Sequence, residues 1–204
     1  MCECSHSSSI DFFDSLALRW DGLHDLNALS STLDAGLVKF GVLPDEYVLD
    51  VGCGTGNLTA ALIRRFSLKG MVTAIDLSSV MIETAKAKLN DSRITWVCGA
   101  VEQLDVVEAS LDRIICYSVW PHLTDNHLAG LLFNRWLKPG GKLHIWHTVS
   151  RQMVNQIHSK ASASVSDHLL APALQTKTLL DQLGFTVDET KDDDTGYLIS
   201  ARKV

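Results

Sequence analysis

The middle of the chain alternates short apolar runs with helical patterns, and this alternation is the strongest constraint on its fold. The apolar runs predict strands at 47–51, 71–75, 94–98, 111–116 and 142–147. Helical patterns lie between them at 57–67, 78–89 and 125–137, with a weaker helical turn near 101–108. Strands that are apolar along their whole length are typical of a parallel sheet covered on both faces. The sequence therefore predicts an α/β fold.

The two ends of the chain carry further elements. Apolar residues at helical spacing predict helices at 10–20 and 25–40, after a small polar segment at 1–9 that we expect to be frayed. Helices are also predicted at 151–162 and 173–183, followed by strands at 185–190 and 196–203. The acidic residues at 192–194 fit a solvated hairpin turn better than a metal site. We divide the chain into a tail with lid helices at 1–43 and one domain at 44–204.

Composition excludes several functions. The 204 residues carry a net charge of −6 without clusters of Lys or Arg, so nucleic acid is not expected as a partner. No apolar run is long enough to span a membrane, and the first residues do not resemble a secretory signal. Three of the five cysteines fall in core segments, which argues against a disulfide scaffold. We expect a cytoplasmic protein, whose oligomeric state the sequence does not indicate.

The strongest motif is V-L-D-V-G-C-G-T-G-N at 48–57, where a strand runs into a glycine-rich turn and a helix. Glycines allow a tight turn and close approach of a ligand, and a helix N-terminus suits a phosphate. A nicotinamide oxidoreductase is therefore one alternative. However, the spacing is not the G-x-G-x-x-G of dinucleotide sites, and the carboxylate of Asp50 would repel a pyrophosphate. That charge favours a ligand carrying an ammonium and a sulfonium.

Asp76 ends the second predicted strand, twenty residues after Gly56. An acid at this distance commonly accepts the hydroxyls of a ribose. The alternative is that Asp76 and Ser78 only cap the following helix. Together with Asp50 and the three glycines, Asp76 favours S-adenosylmethionine (SAM), which carries both cations.

At these residues the sequence resembles the class I SAM-dependent methyltransferases. Two further segments are similar to that family, C-G-A-V-E at 98–102 and L-K-P-G-G-K at 137–142. The resemblance implies a Rossmann-like three-layer sandwich with sheet order 3-2-1-4-5-7-6, the last strand antiparallel. It also implies that residues 11–17, with Trp20 and Asp21, form a lid helix over the cofactor. The implied cofactor-binding residues are Asp50, Gly52, Cys53, Gly54, Gly56, Asn57, Asp76, Leu77, Met81, Ala100, Val101 and Tyr117.

The methyl acceptor is expected beyond strands four and five, which deliver His122 and His147 to one edge of the sheet. An imidazole there could take a proton from the acceptor or orient it, although either ring could instead pack or cap a carbonyl. Both are candidate catalytic residues. Candidate substrate-binding residues are Trp20, Trp120, Arg151, Asn155 and His158. The last three share one helical face, which an ordinary amphipathic surface helix would also show.

Strand four lacks the Asn/Asp-Pro-Pro-Tyr/Phe signature of enzymes that methylate amide or exocyclic nitrogens, and no recognition domain is evident. Both features favour a small-molecule acceptor, methylated on an O, N, S or C atom by in-line displacement. A non-catalytic SAM- or metal-binding module is the other alternative. The segment Cys2-x-Cys4-x-His6 offers three soft-metal ligands but no obvious fourth, so no metal is predicted.

Overall fold

The computed structural model describes residues 4–204, with side chains from Ser9 onward. Helix α1 spans Cys4–Trp20, a 3₁₀ turn follows at Asp21–Leu23, and α2 spans Leu26–Lys39. The first helix begins earlier than expected, since the polar residues after Cys4 continue it. The remaining elements are β1 Tyr47–Val51, α3 Asn57–Arg65, β2 Met71–Asp76, α4 Ser79–Lys88, β3 Ile94–Cys98, β4 Leu111–Tyr117, α5 Asn126–Trp136, β5 Leu137–His147, α6 Arg151–Lys160, α7 Ala173–Gln182, β6 Phe185–Asp193 and β7 Gly196–Lys203.

The strands form one seven-stranded sheet in the order β3-β2-β1-β4-β5-β7-β6. The pairs β1–β2, β2–β3 and β4–β5 are parallel, whereas β7 runs antiparallel to both β5 and β6. The predicted Rossmann-like fold and strand order are therefore confirmed. The weak helical pattern near 101–108 yields only a 3₁₀ turn at Val101–Gln103. No helix within residues 4–204 is long and apolar enough to cross a membrane.

The chain divides into two compact units, one ending at Val101 and the other spanning Glu102–Val204. In the first, fully buried aliphatic side chains from β1, β2, α2 and α3 form the core. Its carboxyl strand ends are aligned by the parallel register, which sets Val51 beside Ile75 and Asp76 beside Cys98. This alignment brings the turns that follow β1 and β2 together.

The core of the second unit includes a buried charge. Arg113 on β4 is 2% exposed, and its guanidinium donates a hydrogen bond of 2.6 Å to Nε2 of His144 on β5. A nitrogen that accepts this bond carries no proton, so a neutral His144 holds its proton on Nδ1 and donates it to Ser200 Oγ at 2.9 Å. The chain of bonds crosses three neighbouring strands and pairs polar groups that would otherwise be costly to bury.

The terminal hairpin is present, but one of its acids does not lie in a solvated turn. Asp192 belongs to β6 and is half-buried, because its carboxylate accepts hydrogen bonds from Arg151 Nε and from the backbone N–H of Ala173. Asp193 and Asp194 are exposed, as expected. The interpretation of 192–194 as a solvated turn was therefore wrong for its first residue.

Candidate active site

The turn after β1 depends on its glycines. Gly52, Gly54 and Gly56 have φ angles of 65°, 52° and 82°, a left-handed conformation that favours glycine. A Cβ on Gly56 would come within 3.1 to 3.2 Å of Ala85, Leu89 and Trp96, so this glycine is also required by packing. A Cβ on Gly54 would meet nothing within 4 Å. The loop therefore leaves open space beside Gly54, where a ligand can approach the backbone.

Asp76 holds this loop against the end of β2. One carboxylate oxygen accepts the N–H of Gly54 at 2.8 Å, and the other accepts the N–H of Ser78 at 2.9 Å. Burial raises the pKa of Asp76, and the two N–H donors partly oppose that change. The helix cap is made by Ser78, whose Oγ accepts the N–H of Met81 at 3.0 Å. Ser78 thus caps α4, while the carboxylate of Asp76 binds the glycine loop.

Asp50 lies beneath the loop and is 1% exposed. Thr59 Oγ1 donates to one of its carboxylate oxygens at 2.6 Å, while the other oxygen is buried with no hydrogen-bond partner in the structure. Burial raises the pKa of Asp50 to about 7, and the neighbouring Asp76 charge adds to this effect. A buried carboxylate with an unpaired oxygen is costly unless a donor or a cation satisfies it. This group therefore suits a cationic ligand.

Two acidic residues of the N-terminal segment also reach the turns after β1 and β2. The Asp21 carboxylate accepts hydrogen bonds from Thr55 Oγ1 at 2.6 Å, Asn57 Nδ2 at 3.1 Å and Lys88 Nζ at 2.6 Å. Burial acts to raise the pKa of Asp21, but these donors outweigh it and lower the pKa. The sequence placed this segment near the cofactor by resemblance only and did not identify these bonds.

Asp14 is the second of these acids, and its carboxylate accepts a hydrogen bond from the hydroxyl of Ser78. Helix α1, which carries Asp14, packs against α4. With Asp21, Asp50 and Asp76, Asp14 completes a group of four carboxylates around the turns after β1 and β2, which we call the carboxylate group. Neither Asp14 nor Asp21 has a local motif, because each meets a partner more than 30 positions away in the chain.

The other predicted cofactor residues of the first unit lie around the same turns. Met81 and Val101 are buried, Leu77 and Ala100 are half-buried, and Asn57 bonds to Asp21. Cys53 contributes its backbone, whose N–H donates to the carbonyl of Ile75 at 3.0 Å, while its thiol is buried. Trp20 stacks edge-on with Phe13 and His24. Their contacts with a cofactor or substrate remain predictions.

Four histidines of the second unit form a group that we call the histidine cluster: His122, His147, His158 and His168. The Nδ1 atoms of His122 and His168 are 2.9 Å apart, and the ring centres of His122 and His158 are 4.6 Å apart. Burial lowers the pKa of both His122 and His147 to about 3, and nearby histidines add to this effect. Both rings are therefore neutral at physiological pH.

His147 provides a buried polar atom without a partner. It is 2% exposed, its ring packs edge-on against Tyr197, and its Nε2 has no hydrogen-bond partner in the structure. Such an atom is expected to meet a ligand or a water molecule. Among the described side chains, no group of three His, Cys, Asp or Glu residues is arranged to hold a metal ion. The segment Cys2-x-Cys4-x-His6 lies outside the described side chains.

The predicted binding face of α6 is engaged within the second unit. Arg151 pairs with Asp192 at 2.9 Å, and Asn155 binds both the carbonyl and the N–H of Leu170, at 3.2 and 2.8 Å. His158 Nδ1 donates to the carbonyl of His168 at 2.5 Å. The three side chains thus hold the hairpin and the segment between α6 and α7. A role toward an acceptor stays a prediction for each of them.

The aromatic candidates of the second unit are mostly enclosed. Trp120 is 1% exposed and packs in the core at the 3₁₀ turn Trp120–His122. Tyr117 is half-buried, with its ring 5.0 Å from that of Trp146 and its hydroxyl 3.2 Å from Thr148 Oγ1. His168 joins the histidine cluster although no periodic pattern in the sequence singled it out. Only the three-dimensional structure shows that His168 lies beside His122, because its segment is neither helix nor strand.

The chain has relatives among known methyltransferases. Residues 48–141 match the model of a methyltransferase domain. Over 112 residues the chain is 37% identical to malonyl-[acyl-carrier protein] O-methyltransferase of Priestia megaterium, covering 55% of this chain and 40% of the relative. It is 34% identical over 150 residues to the ubiquinone biosynthesis O-methyltransferase of Xanthomonas campestris, covering 69% of this chain and 60% of the relative. The chain thus spans about half the length of these curated relatives.

Solved structures share the fold at low sequence identity. The putative methyltransferase of Haloferax volcanii, in complex with the activator Trm112, superposes with a TM-score of 0.75 at 19% identity, covering 94% of this chain and 96% of that one. A SAM-dependent methyltransferase of Aquifex aeolicus gives a TM-score of 0.69 at 18% identity, covering 89% of this chain and 100% of that one. Residues 48–141 thus match a methyltransferase domain, and the chain has the fold of solved SAM-dependent methyltransferases.

Proposed function

We propose that the protein transfers a methyl group from SAM to an oxygen atom of a small-molecule acceptor. The observation that carries the proposal is the glycine loop held by Asp76, with an open face at Gly54 and the unpaired oxygen of Asp50 beneath it. When bound, SAM supplies a methyl group already activated by a positively charged sulfur. The protein therefore has to hold, align and shield the reacting groups rather than activate the methyl group.

The residues of the first unit fit this cofactor. The Asp76 carboxylate keeps lone pairs beyond the two that bind Gly54 and Ser78, and these can accept ribose hydroxyls. The open face at Gly54 admits the backbone approach that a nucleoside ligand requires. The carboxylate group provides a negative field around the loop, which favours a cation and disfavours a pyrophosphate. This charge pattern supports SAM over a nicotinamide dinucleotide.

Oxygen is favoured as the methylated atom. Two relatives are named O-methyltransferases, one for malonyl-[acyl-carrier protein] and one in ubiquinone biosynthesis. The neutral rings of His122 and His147 suit a hydroxyl, since a neutral imidazole can accept a hydrogen bond from an O–H group. Arg151, which could have anchored an anionic acceptor, is paired with Asp192. These features support an uncharged hydroxyl as the group that is methylated. We also propose residues 44–204 as the catalytic domain.

Calorimetric titration tests the cofactor site. We expect SAM to bind and NAD⁺ not to bind the wild-type chain. Asp76→Ala removes the carboxylate that holds the loop and is expected to weaken SAM binding roughly 10- to 100-fold, since a charge-assisted hydrogen bond contributes about 1.5–3 kcal/mol. Asp105→Ala, at an exposed position, is the matched control. Unchanged SAM affinity in Asp76→Ala would refute the site, and NAD⁺ binding would favour an oxidoreductase.

Turnover is tested by the release of S-adenosylhomocysteine from SAM in the presence of catechol or a malonyl thioester. Methylation of catechol is expected, because its hydroxyl can donate to a neutral imidazole. Methylation of the malonyl carboxylate alone would contradict the hydroxyl assignment. A chain that binds SAM but turns over no acceptor, including those in a metabolite extract, would be a non-catalytic SAM-binding module.

A further inference from the structure

His168 lies between α6 and α7, and its imidazole faces that of His122. The two Nδ1 atoms are 2.9 Å apart, which is hydrogen-bond distance. In two neutral rings that form this bond, one Nδ1 carries the shared proton and the other accepts it. The pair is therefore an N–H···N hydrogen bond, along which a proton can pass from one ring to the other.

Side chains of α6 fix the backbone around His168. His158 Nδ1 donates to the carbonyl of His168 at 2.5 Å, and Asn155 binds the N–H and the carbonyl of Leu170. A carbonyl oxygen can only accept, so this bond also fixes the proton of His158 on Nδ1. Two side chains, one helical turn apart on α6, thus hold this short segment against the helix. The segment thereby holds the His168 ring within hydrogen-bond distance of the His122 ring.

The two rings differ in how well they tolerate a positive charge. Burial, together with the nearby His158, His168 and His147, lowers the pKa of His122 to about 3. Burial and His158 also lower the pKa of His168, but to a smaller extent, and the carboxylate of Asp167 opposes them. A proton that reaches His122 is therefore more stable on His168, which lies nearer to water.

We infer that His168 is a positioning residue that acts through His122, accepting the proton that His122 takes from a hydroxyl acceptor and releasing it to water. The inference rests on the proposed function. The acceptor's O–H bond breaks as its new O–C bond forms, and the proton goes to a ring nitrogen of His122. The Nδ1 proton of His122 then moves to Nδ1 of His168, and the Nε2 proton of His168 leaves to water. Exchange with water restores the starting tautomers.

Nuclear magnetic resonance of the full chain tests the hydrogen bond without any turnover. Long-range ¹H–¹⁵N spectra of the histidine rings report which nitrogen carries each proton. We expect His122 and His168 to be neutral with only one of the two Nδ1 atoms protonated, and the first proton taken up on acidification to appear on His168. Two rings that are both protonated on Nε2, or a first proton on His122, would overturn the inference. So would tight binding of Zn²⁺ at these rings.

Kinetics with catechol tests the transfer itself. His168→Asn keeps a hydrogen-bond acceptor, its side-chain oxygen, near the Nδ1 position but cannot take up and release a proton. We expect kcat to fall roughly 10- to 100-fold with KM unchanged. This is less than the roughly 10²- to 10⁴-fold contribution of a general acid or base that touches the substrate, because His168 acts through His122. Added imidazole should restore part of the rate of His168→Ala. The matched control is His127→Asn, an exposed histidine on α5.

An unchanged kcat and pH profile in His168→Asn, or no rescue by imidazole, would overturn the inference. A merely structural role for His168 would change KM or stability and would not respond to imidazole. Failure of the proposed function gives a different result, because the wild-type chain would then not bind SAM. If the wild type binds SAM but does not methylate catechol, the tautomers seen by magnetic resonance decide the inference.

Discussion

The buried carboxylate of Asp50 is expected to make the stability of the fold depend on pH, and Asp50→Asn should remove that dependence. Burial, with the nearby Asp76, raises the pKa of Asp50 from 3.8 to about 7 in the folded chain. The folded state therefore binds a proton more tightly than the unfolded chain. It follows that the contribution of Asp50 to stability is highest below about pH 4 and falls as the pH rises toward 7.

The size of the effect follows from the two pKa values. Their difference corresponds to about 4 kcal/mol of unfolding free energy between the acidic and the alkaline limit, of which about 2.6 kcal/mol falls between pH 5 and 8. Asparagine has the shape of the protonated acid and does not ionise. Its amide N–H₂ would occupy the position of the unpaired oxygen, and a buried donor without a partner costs about 1–3 kcal/mol.

Urea unfolding followed by circular dichroism measures this balance. Relative to the wild type, we expect the unfolding free energy of Asp50→Asn to rise by about 2–3 kcal/mol between pH 5 and 8. The variant should be less stable than the wild type at the lower pH, and its deficit should shrink or reverse at the higher pH. Asp105→Asn, at an exposed position, should follow the wild type throughout. If Asp50→Asn also follows the wild type, Asp50 is ionised in the folded chain and the reasoning is refuted.

Three further predictions follow from the hydrogen bonds and charges described above. SAM binding near pH 6.5 should release a proton from Asp50, so the binding enthalpy should depend on the ionisation enthalpy of the buffer, and a buffer-independent enthalpy would contradict this. Asp21→Asn weakens the bonds to Thr55 and Lys88, so amide hydrogen exchange in α1 should accelerate while exchange in α5 does not change. If α1 exchanges as in the wild type, the bonds of Asp21 do not hold α1 in place. Arg151→Met leaves Asp192 without its cation and should lower the unfolding free energy by about 1–3 kcal/mol. The KM for catechol should not change, and a raised KM would indicate that Arg151 binds the acceptor.

The parts of the fold that were predictable are those with local signals. Apolar runs located the strands, and the glycine loop with Asp76 predicted a cofactor site because Asp76 follows Gly56 by only twenty residues, at the end of the next strand. The bonds of Asp21 and the pairing of His122 with His168 carry no such signal. Each joins side chains more than 30 positions apart, and only the packed chain brings them together.

The helical face of α6 illustrates the limit of periodicity. Its spacing correctly placed Arg151, Asn155 and His158 on one side of a helix, but spacing does not indicate what that side meets. The structure supplies partners from the same unit, namely Asp192 and the backbone of residues 168 and 170. This polar face thus holds a connecting segment in place. A substrate-binding face or a solvated face would show the same spacing in the sequence.

The carboxylate group also links the lifetime of the protein to the supply of its methyl donor. Within this group the charge of Asp76 repels those of Asp50 and Asp14 in the empty protein, and a bound cation relieves that repulsion. A ligand that binds only the folded state stabilises it in proportion to the logarithm of its concentration above Kd. We therefore expect the empty form to unfold locally and to be degraded faster than the loaded form. In a cell short of SAM, the protein would then decline in abundance, and the proposed activity would decline with it.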